Sequence, residues 1–269
     1  MPRSKRKQSG TDVYHVVSRG NNQNHILQKN NDKKYFRSIM QRRAEKLGVK
    51  VYAYCIMSNH VHILLKSDFK ILSLFMQEVN SIYAIYHNYK YGKSGHVFQG
   101  RFYSSVVETE GYLFSCIRYI HNNPVKAYMV SSILDYPFSS AAEYYNTMIH
   151  KKKTEGYLSE EVFCYLKKRF RNWEEFCEFH NIFDNQEFID IKEEKEEYDF
   201  QRVKRQMTIF ARENDIKSFK ILDNVPYMRQ RAVAFCKRET GMTEGKIENF
   251  LKILAAGVRP LLSNSSDNN

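Results

Sequence analysis

Residues 58–66 read Ser58-Asn59-His60-Val61-His62-Ile63-Leu64-Leu65-Lys66, SNHVHILLK. The stretch before it, KVYAYCIM at 50–57, is rich in β-branched and aromatic residues and predicts a strand. HVHILLK predicts another, and the Ser58-Asn59 pair between them suits a tight hairpin turn. Strand side chains alternate with a period of two, so His60 and His62 share one face while Val61 and Ile63 share the other. Adjacent imidazoles on one face can bind a divalent ion, or can stand on a wet sheet face and hydrogen-bond to water. The HxH spacing alone leaves both readings open.

Working outward, DVYHVVS at 12–18 predicts a strand that ends at Arg19-Gly20-Asn21-Asn22. Residues 31–47 form an amphipathic helical pattern stopped by Gly48. Beyond the hairpin, ILSLFMQEVNSIYAIYHNYKYG at 71–92 predicts a helix closed by Gly92. KSGHVFQG predicts a loop and RFYSSVVE, at 101–108, a fourth strand. GYLFSCIRYIHNN predicts a helix that stops before Pro124, because the residue preceding a proline disfavours the α region. This order matches an α+β, ferredoxin-like split βαβ fold: an antiparallel sheet with helices on one face and both imidazoles on the other.

The texture changes near residue 150. The segment HKKKTEG reads as a linker, so the expected division is a first domain over 1–145 and a mostly helical region over 151–269. In that region SEEVFCYLKKRFRNWEEFCEFH, at 159–180, reads as helical. The charge block DIKEEKEEYDFQRVKRQ, at 190–206, reads as a solvated helix or a flexible joint. The pattern over 226–256 suits a helix-turn-helix DNA reader and equally a plain αα-hairpin, and Glu244 and Glu248 on its second helix do not favour DNA. The tail LLSNSSDNN is expected to be disordered.

Charge is unevenly placed in the 269 residues, whose net is +12. Residues 1–150 hold 20 Lys and Arg against 9 Asp and Glu, a net of +11, whereas 151–269 hold 22 against 21, a net of +1. A basic half rich in tyrosine suggests a nucleic-acid partner, since cations neutralise phosphates and aromatic rings stack on bases. The five cysteines are scattered with no CxxC spacing, so neither a disulfide framework nor a cysteine zinc site is expected, and a cytoplasmic location is. Mean hydropathy is −0.59 and no apolar run approaches a membrane span. The basic start MPRSKRKQSG is not followed by the apolar region of a secretory signal.

A second feature bears on the histidines. In CIRYIHNNPVK, at 116–126, Tyr119 and Asn123 are four apart on a predicted helix and so share one face. Asn123 offers an amide oxygen suited to a third metal ligand, and Tyr119 a phenol that could act as a nucleophile. A core aromatic is the plainer reading of Tyr119 in a chain with 19 tyrosines.

With HVH on a strand and YIHNNPVKA on a later helix, the chain resembles the HUH-type single-tyrosine transposases, and within them the REP-associated tyrosine transposases. The pieces YHVVSRGNN, AYCIMSNHVHILL and GHVFQGRFYSSVVE fit the same likeness, which covers about residues 8–140. The resemblance implies an HUH nuclease fold, with His60, His62 and Asn123 holding a divalent ion and Tyr119 as nucleophile. Some transposases of the wider group carry glutamine where this chain has Asn123. Family precedent points to magnesium or manganese, whereas ligand softness alone would select zinc.

The implied activity is cleavage and strand transfer on single-stranded or hairpin DNA through a 5′-phosphotyrosine, with a nucleoid-associated location. Arg19, Gln99, Arg101 and Lys126 are the candidate DNA contacts, joined by Arg3, Lys5, Arg6 and Lys7 of the N-terminal arm. His96 and His121 are expected to be structural. Relatives occur as monomers and as homodimers, so Tyr119 could act in cis or in trans. Two other readings stay open: a hairpin-binding regulator that does not cleave, and a metal-dependent phosphodiesterase that uses water.

Overall fold

The computed structural model describes residues 6–150, 157–182, 188 and 192–256. Arg3, Lys5, most of the expected linker and the C-terminal tail lie outside the described residues. The chain forms two units, Met1–Ile189 and Asp190–Asn269.

Four strands build the sheet of the first unit: β1 (Val13–Arg19), β2 (Lys50–Ile56), β3 (His60–Lys66) and β4 (Tyr103–Val106). Their order across the sheet is β2-β3-β1-β4, and every neighbouring pair is antiparallel. With α1 (Asn30–Leu47) between β1 and β2, and α2 (Phe69–Tyr91) between β3 and β4, this is the split βαβ, ferredoxin-like α+β arrangement. The β2–β3 hairpin closes through Met57 N–H donating to the His60 carbonyl at 2.9 Å, which leaves Ser58-Asn59 as its tip. Gly48 and Gly92 end α1 and α2 in the left-handed region, at φ 67° and 58°, where glycine carries no Cβ penalty.

Both faces of the sheet are covered. Ser18 points away from the His60 face, and its hydroxyl accepts from Asn80 Nδ2 of α2 at 2.8 Å. On that side α1 and α2 pack together, with Phe36 and Tyr83 edge-to-face at 5.3 Å. Buried Asp32 of α1 ties the pair by accepting from Tyr86, Tyr91 and Lys90. The opposite face receives α3 (Glu110–Lys126), whose Tyr119 lies against His15 and His62. The expectation of helices on one face only is therefore corrected: all seven residues of β1 are buried, as a strand sandwiched on both sides must be.

Pro124 does not end α3, contrary to expectation. It lies inside the helix, which continues to Lys126. A proline in a final turn removes only one backbone donor, and the closing carbonyls find others. Ala127 N–H donates to the Asn123 carbonyl and Met129 N–H to that of Pro124, each at 2.9 Å. The chain then turns at Tyr128, in the left-handed region at φ 53°.

Among the described residues, the first unit also holds the α-helices α4 (Ala141–His150), α5 (Glu160–Arg169) and α6 (Trp173–Asn181). The stretch expected as one helix over 159–180 is thus two. Asn172 caps α6 by accepting from Glu175 N–H, while the Glu175 carboxylate accepts from Arg171 N–H. That N-x-x-E signal starts a new helix and breaks the old one. Glu161 of α5 binds Lys50 of β2 and Lys66 of β3, anchoring α5 to the sheet.

The second unit contains α7 (Lys192–Glu213), a single turn α8 (Ile221–Asn224), α9 (Pro226–Thr240) and α10 (Glu244–Ala256). Its core stripe on α7 is Phe200, Val203, Met207 and Phe210, at the spacing of one helical face. It packs with Ala232, Val233 and Cys236 of α9 and Ile247, Phe250 and Leu251 of α10. The charge block is helical from Lys192 onward, and it gives Phe200 and Val203 to the core. Glu244 and Glu248 of α10 are ion-paired with Lys237 and Arg229 of α9, each at 2.6 Å. Among the described residues, no helix is long and apolar enough to cross a membrane.

Candidate active site

Strand register places the histidines. His60 lies opposite Arg19 and His62 opposite Val17. Directly paired residues project from the same face, so Arg19, His60 and His62 share it, together with His15 two residues from Val17. The imidazole rings of His60 and His62 are edge-to-face at 4.8 Å, and both residues are buried. Tyr119 comes down from α3 with its ring edge-on to His62, centroids 5.4 Å apart and planes at 84°.

Side-chain partners fix how the imidazoles are presented. His60 Nδ1 lies 2.7 Å from the Asn59 side-chain oxygen, so this nitrogen carries the proton and donates. His62 Nδ1 lies 3.1 Å from His15 Nε2. With both Nδ1 atoms engaged on the protein, Nε2 is the ring nitrogen of each histidine that would meet an ion. Among the described residues, no group of three or more His, Cys, Asp or Glu side chains could hold a metal. Among these side-chain types, the donors at this place are the two imidazoles.

Asn123 is engaged within its own helix. Its Nδ2 donates to the Tyr119 carbonyl at 3.0 Å, so its amide nitrogen braces the turn that carries Tyr119. Lys126, one further turn along, places Nζ 4.8 Å from the Tyr119 ring centroid. Phe188 stacks on the same ring at 4.4 Å and 17°, and on Tyr112 at 5.9 Å and 8°.

The loops around the site are laced together by the backbone. Gly20 N–H donates to the Asn59 carbonyl at 2.7 Å, Asn21 to Val97 at 2.8 Å, and Gln99 to Arg19 at 2.8 Å. Thus SRGNN, SNHVH and HVFQGR form one rim beside the histidine pair. The Arg19 side chain is buried, whereas Gln99, Arg101 and Lys126 are exposed. Arg6 is used structurally: its guanidinium lies 3.7 Å from the Phe102 ring centroid and donates to the Phe102 carbonyl at 3.2 Å.

Residues 11–123 match the model of the family described as Transposase IS200 like. The match is confined to this segment of the chain. The chain is also similar to the solved structure of a REP-associated tyrosine transposase bound to a REP hairpin. That likeness has 17% identity and a TM-score of 0.46, and it covers 53% of this chain and 84% of that one. A second similar structure is that of a Deinococcus radiodurans R1 protein assigned as a transposase. It shows 16% identity and a TM-score of 0.32, over 45% of this chain and 97% of that one. A comparison with curated proteins finds no match.

Sequence reasoning passed over Phe188, which stacks on Tyr119, and over a histidine at the site. His15, fully buried on β1, touches both His62 and Tyr119. Its only signal was a third histidine within a predicted strand, and register, which the sequence does not display, brings it to the pair. His121 is structural, as expected. It sits in a buried chain with His180 at 3.1 Å and Ser140 at 2.8 Å, and burial pushes its pKa well below the ordinary value.

Proposed function

We infer that the chain is a metal-dependent DNA strand transferase in which Tyr119 attacks a phosphodiester of single-stranded DNA. The observation that carries this reading is the contact of the Tyr119 ring with His62, beside His60 and beneath Lys126. One nucleophile, a pair of imidazoles and a cation are thereby gathered over a few ångströms on one sheet face.

His60 and His62 would hold magnesium or manganese through Nε2, with the Asn123 amide oxygen as a further ligand. The ion, when bound, supplies electrophilic polarisation of a phosphate oxygen. The chain's residues do the rest. Tyr119 Oη attacks phosphorus in line, the P–O3′ bond breaks, and a free 3′-hydroxyl leaves with a proton. The DNA 5′ end stays joined to Tyr119 as a phosphotyrosine. Because that linkage keeps the energy of the broken bond, a second 3′-hydroxyl can displace Tyr119 without ATP. Lys126 and Arg19 offer positive charge to the phosphate as negative charge builds on it.

The packing of Tyr119 against histidines of its own chain supports action in cis. A single strand fits better than a duplex, since a paired strand cannot readily bend to in-line geometry at a sheet face. A hairpin is the natural way to present such a strand next to a paired stem. Gln99 and Arg101, exposed on the rim, would touch the backbone.

The test is incubation of labelled single-stranded hairpin DNA with the protein and manganese, followed by a denaturing gel. A covalent adduct that disappears in Tyr119→Phe and in His60→Ala is expected. Cleavage that survives Tyr119→Phe would instead mean hydrolysis by water, and tight binding without cleavage on a panel of hairpins would mean a binding module.

A further inference from the structure

We propose that His15 is a positioning residue that sets the tautomer of His62 and so turns His62 Nε2 toward the bound ion. The proposal rests on the metal reading given above and assigns a role to a residue outside that set.

The two rings are stacked, with centroids 5.3 Å apart and planes at 25°, and His15 Nε2 lies 3.1 Å from His62 Nδ1. Both side chains are fully buried. A hydrogen bond between two neutral imidazoles holds one proton, on one nitrogen or the other. If that proton sits on His15 Nε2, His62 Nδ1 accepts and the His62 ring proton must be on Nε2, where it blocks an ion. If it sits on His62 Nδ1, His62 Nε2 presents a lone pair, and His15 carries its own proton on Nδ1. Only the second arrangement is compatible with ligation by His62.

The other imidazole obeys the same logic, because the Asn59 oxygen takes the Nδ1 proton of His60. An amide oxygen can only accept, so His60 has its tautomer imposed outright. His15, when its own proton is on Nδ1, does the equivalent for His62 from a different strand. Partners of this kind fix ring orientation and raise ligand basicity. His15 also packs edge-on to Tyr119, at 5.8 Å and 70°, so a single residue braces a ligand and the nucleophile.

The test begins with the unmodified, metal-free protein. Long-range proton–nitrogen correlation spectra of histidine-labelled protein are expected to show His62 protonated at Nδ1, and His15 protonated at Nδ1 with Nε2 bare. A His62 ring protonated at Nε2 overturns the proposal. The second arm is calorimetric titration with manganese alone. His15→Phe, which keeps a flat ring but has no acceptor, is expected to weaken manganese binding by about 10- to 100-fold. His15→Gln, whose amide oxygen can accept from His62 Nδ1, is expected to restore most of it. If His15→Phe binds manganese as the parent does while His62→Ala does not, His15 has no positioning role and the metal reading stands. If His62→Ala also binds as the parent does, the metal reading itself fails. Should His15→Phe not fold, the spectra and the His15→Gln titration decide the matter.

Discussion

The Tyr119 ring meets the His62 ring edge-on, with centroids 5.4 Å apart, across the interface between α3 and the sheet. Tyr119 is therefore a packing residue as well as the proposed nucleophile, being 5% exposed. The two roles separate by substitution. Tyr119→Phe keeps the ring and is expected to change stability by no more than about 1 kcal/mol. Tyr119→Ala empties a buried aromatic site and should cost about 3–5 kcal/mol. Urea denaturation of the two variants checks this. A large loss in Tyr119→Phe would mean that the phenol is a buried structural group.

Action in cis makes a prediction of its own. Equimolar His60→Ala and Tyr119→Phe proteins, mixed on hairpin DNA, should give no covalent adduct, because neither chain has a complete site. Recovery of adduct in the mixture would show that one chain's tyrosine serves another chain's histidines.

A buried histidine chain predicts acid sensitivity. His180 Nδ1 donates to the Phe176 carbonyl at 2.7 Å, so His180 Nε2 must accept from His121 Nδ1–H, and His121 Nε2 from the Ser140 hydroxyl. Both rings are neutral in the fold: burial pushes His180 down to about 4, against its bond to Phe176, and pushes His121 well below its ordinary value. In the unfolded chain both titrate near 6.5. Between about pH 6.5 and 4 the unfolded state therefore binds more protons, and stability falls as pH falls, by up to about 1.4 kcal/mol per pH unit for each group. Urea denaturation at pH 7, 6 and 5 should show a shallower decline in His180→Gln than in the parent. Parallel declines would contradict the assignment.

Gly20 predicts a steric requirement at the rim. A Cβ built there would lie 2.4 Å from the Asn24 carbonyl oxygen and 3.3 Å from that of Asn59, both of them backbone atoms that cannot swing aside. Gly20→Ala should cost about 1–3 kcal/mol, as overpacking does. It should also shift the Asn59 peptide and, through Asn59, the His60 ring. Thermal melting reads the first effect and manganese titration the second. A variant as stable as the parent would mean that the rim is looser than its hydrogen bonds suggest.

The sheet was legible because its cues are local. The Ser58-Asn59 tip, the glycines at 48 and 92, and the period-two pattern of HVHIL each act over a few residues. The shared face of His60 and His62 followed from that period alone, and the proximity of Tyr119 to them from the family resemblance. What failed to show in the sequence depends on distant partners. Alternation says that two side chains share a face but not whether a helix covers it, so the burial of the histidine face beneath α3 was missed. Pro124 looked like a stop because its preference is local, whereas its tolerance comes from Ala127 and Met129 closing the final turn. His15 was missed because it is 47 residues from His62 and reaches it only through β1–β3 register. The break at Asn172, by contrast, did have a local signal in Asn172-x-x-Glu175.

The central claim is that Tyr119 itself becomes joined to DNA. The most direct measurement is mass spectrometry of the peptide containing Tyr119, taken after reaction with hairpin DNA and manganese and digestion of both polymers. The account predicts a residual nucleotide, attached through its 5′-phosphate, on Tyr119 and on no other tyrosine. Unmodified Tyr119 alongside cleaved DNA, or a nucleotide on Tyr112 or Tyr128, would contradict it.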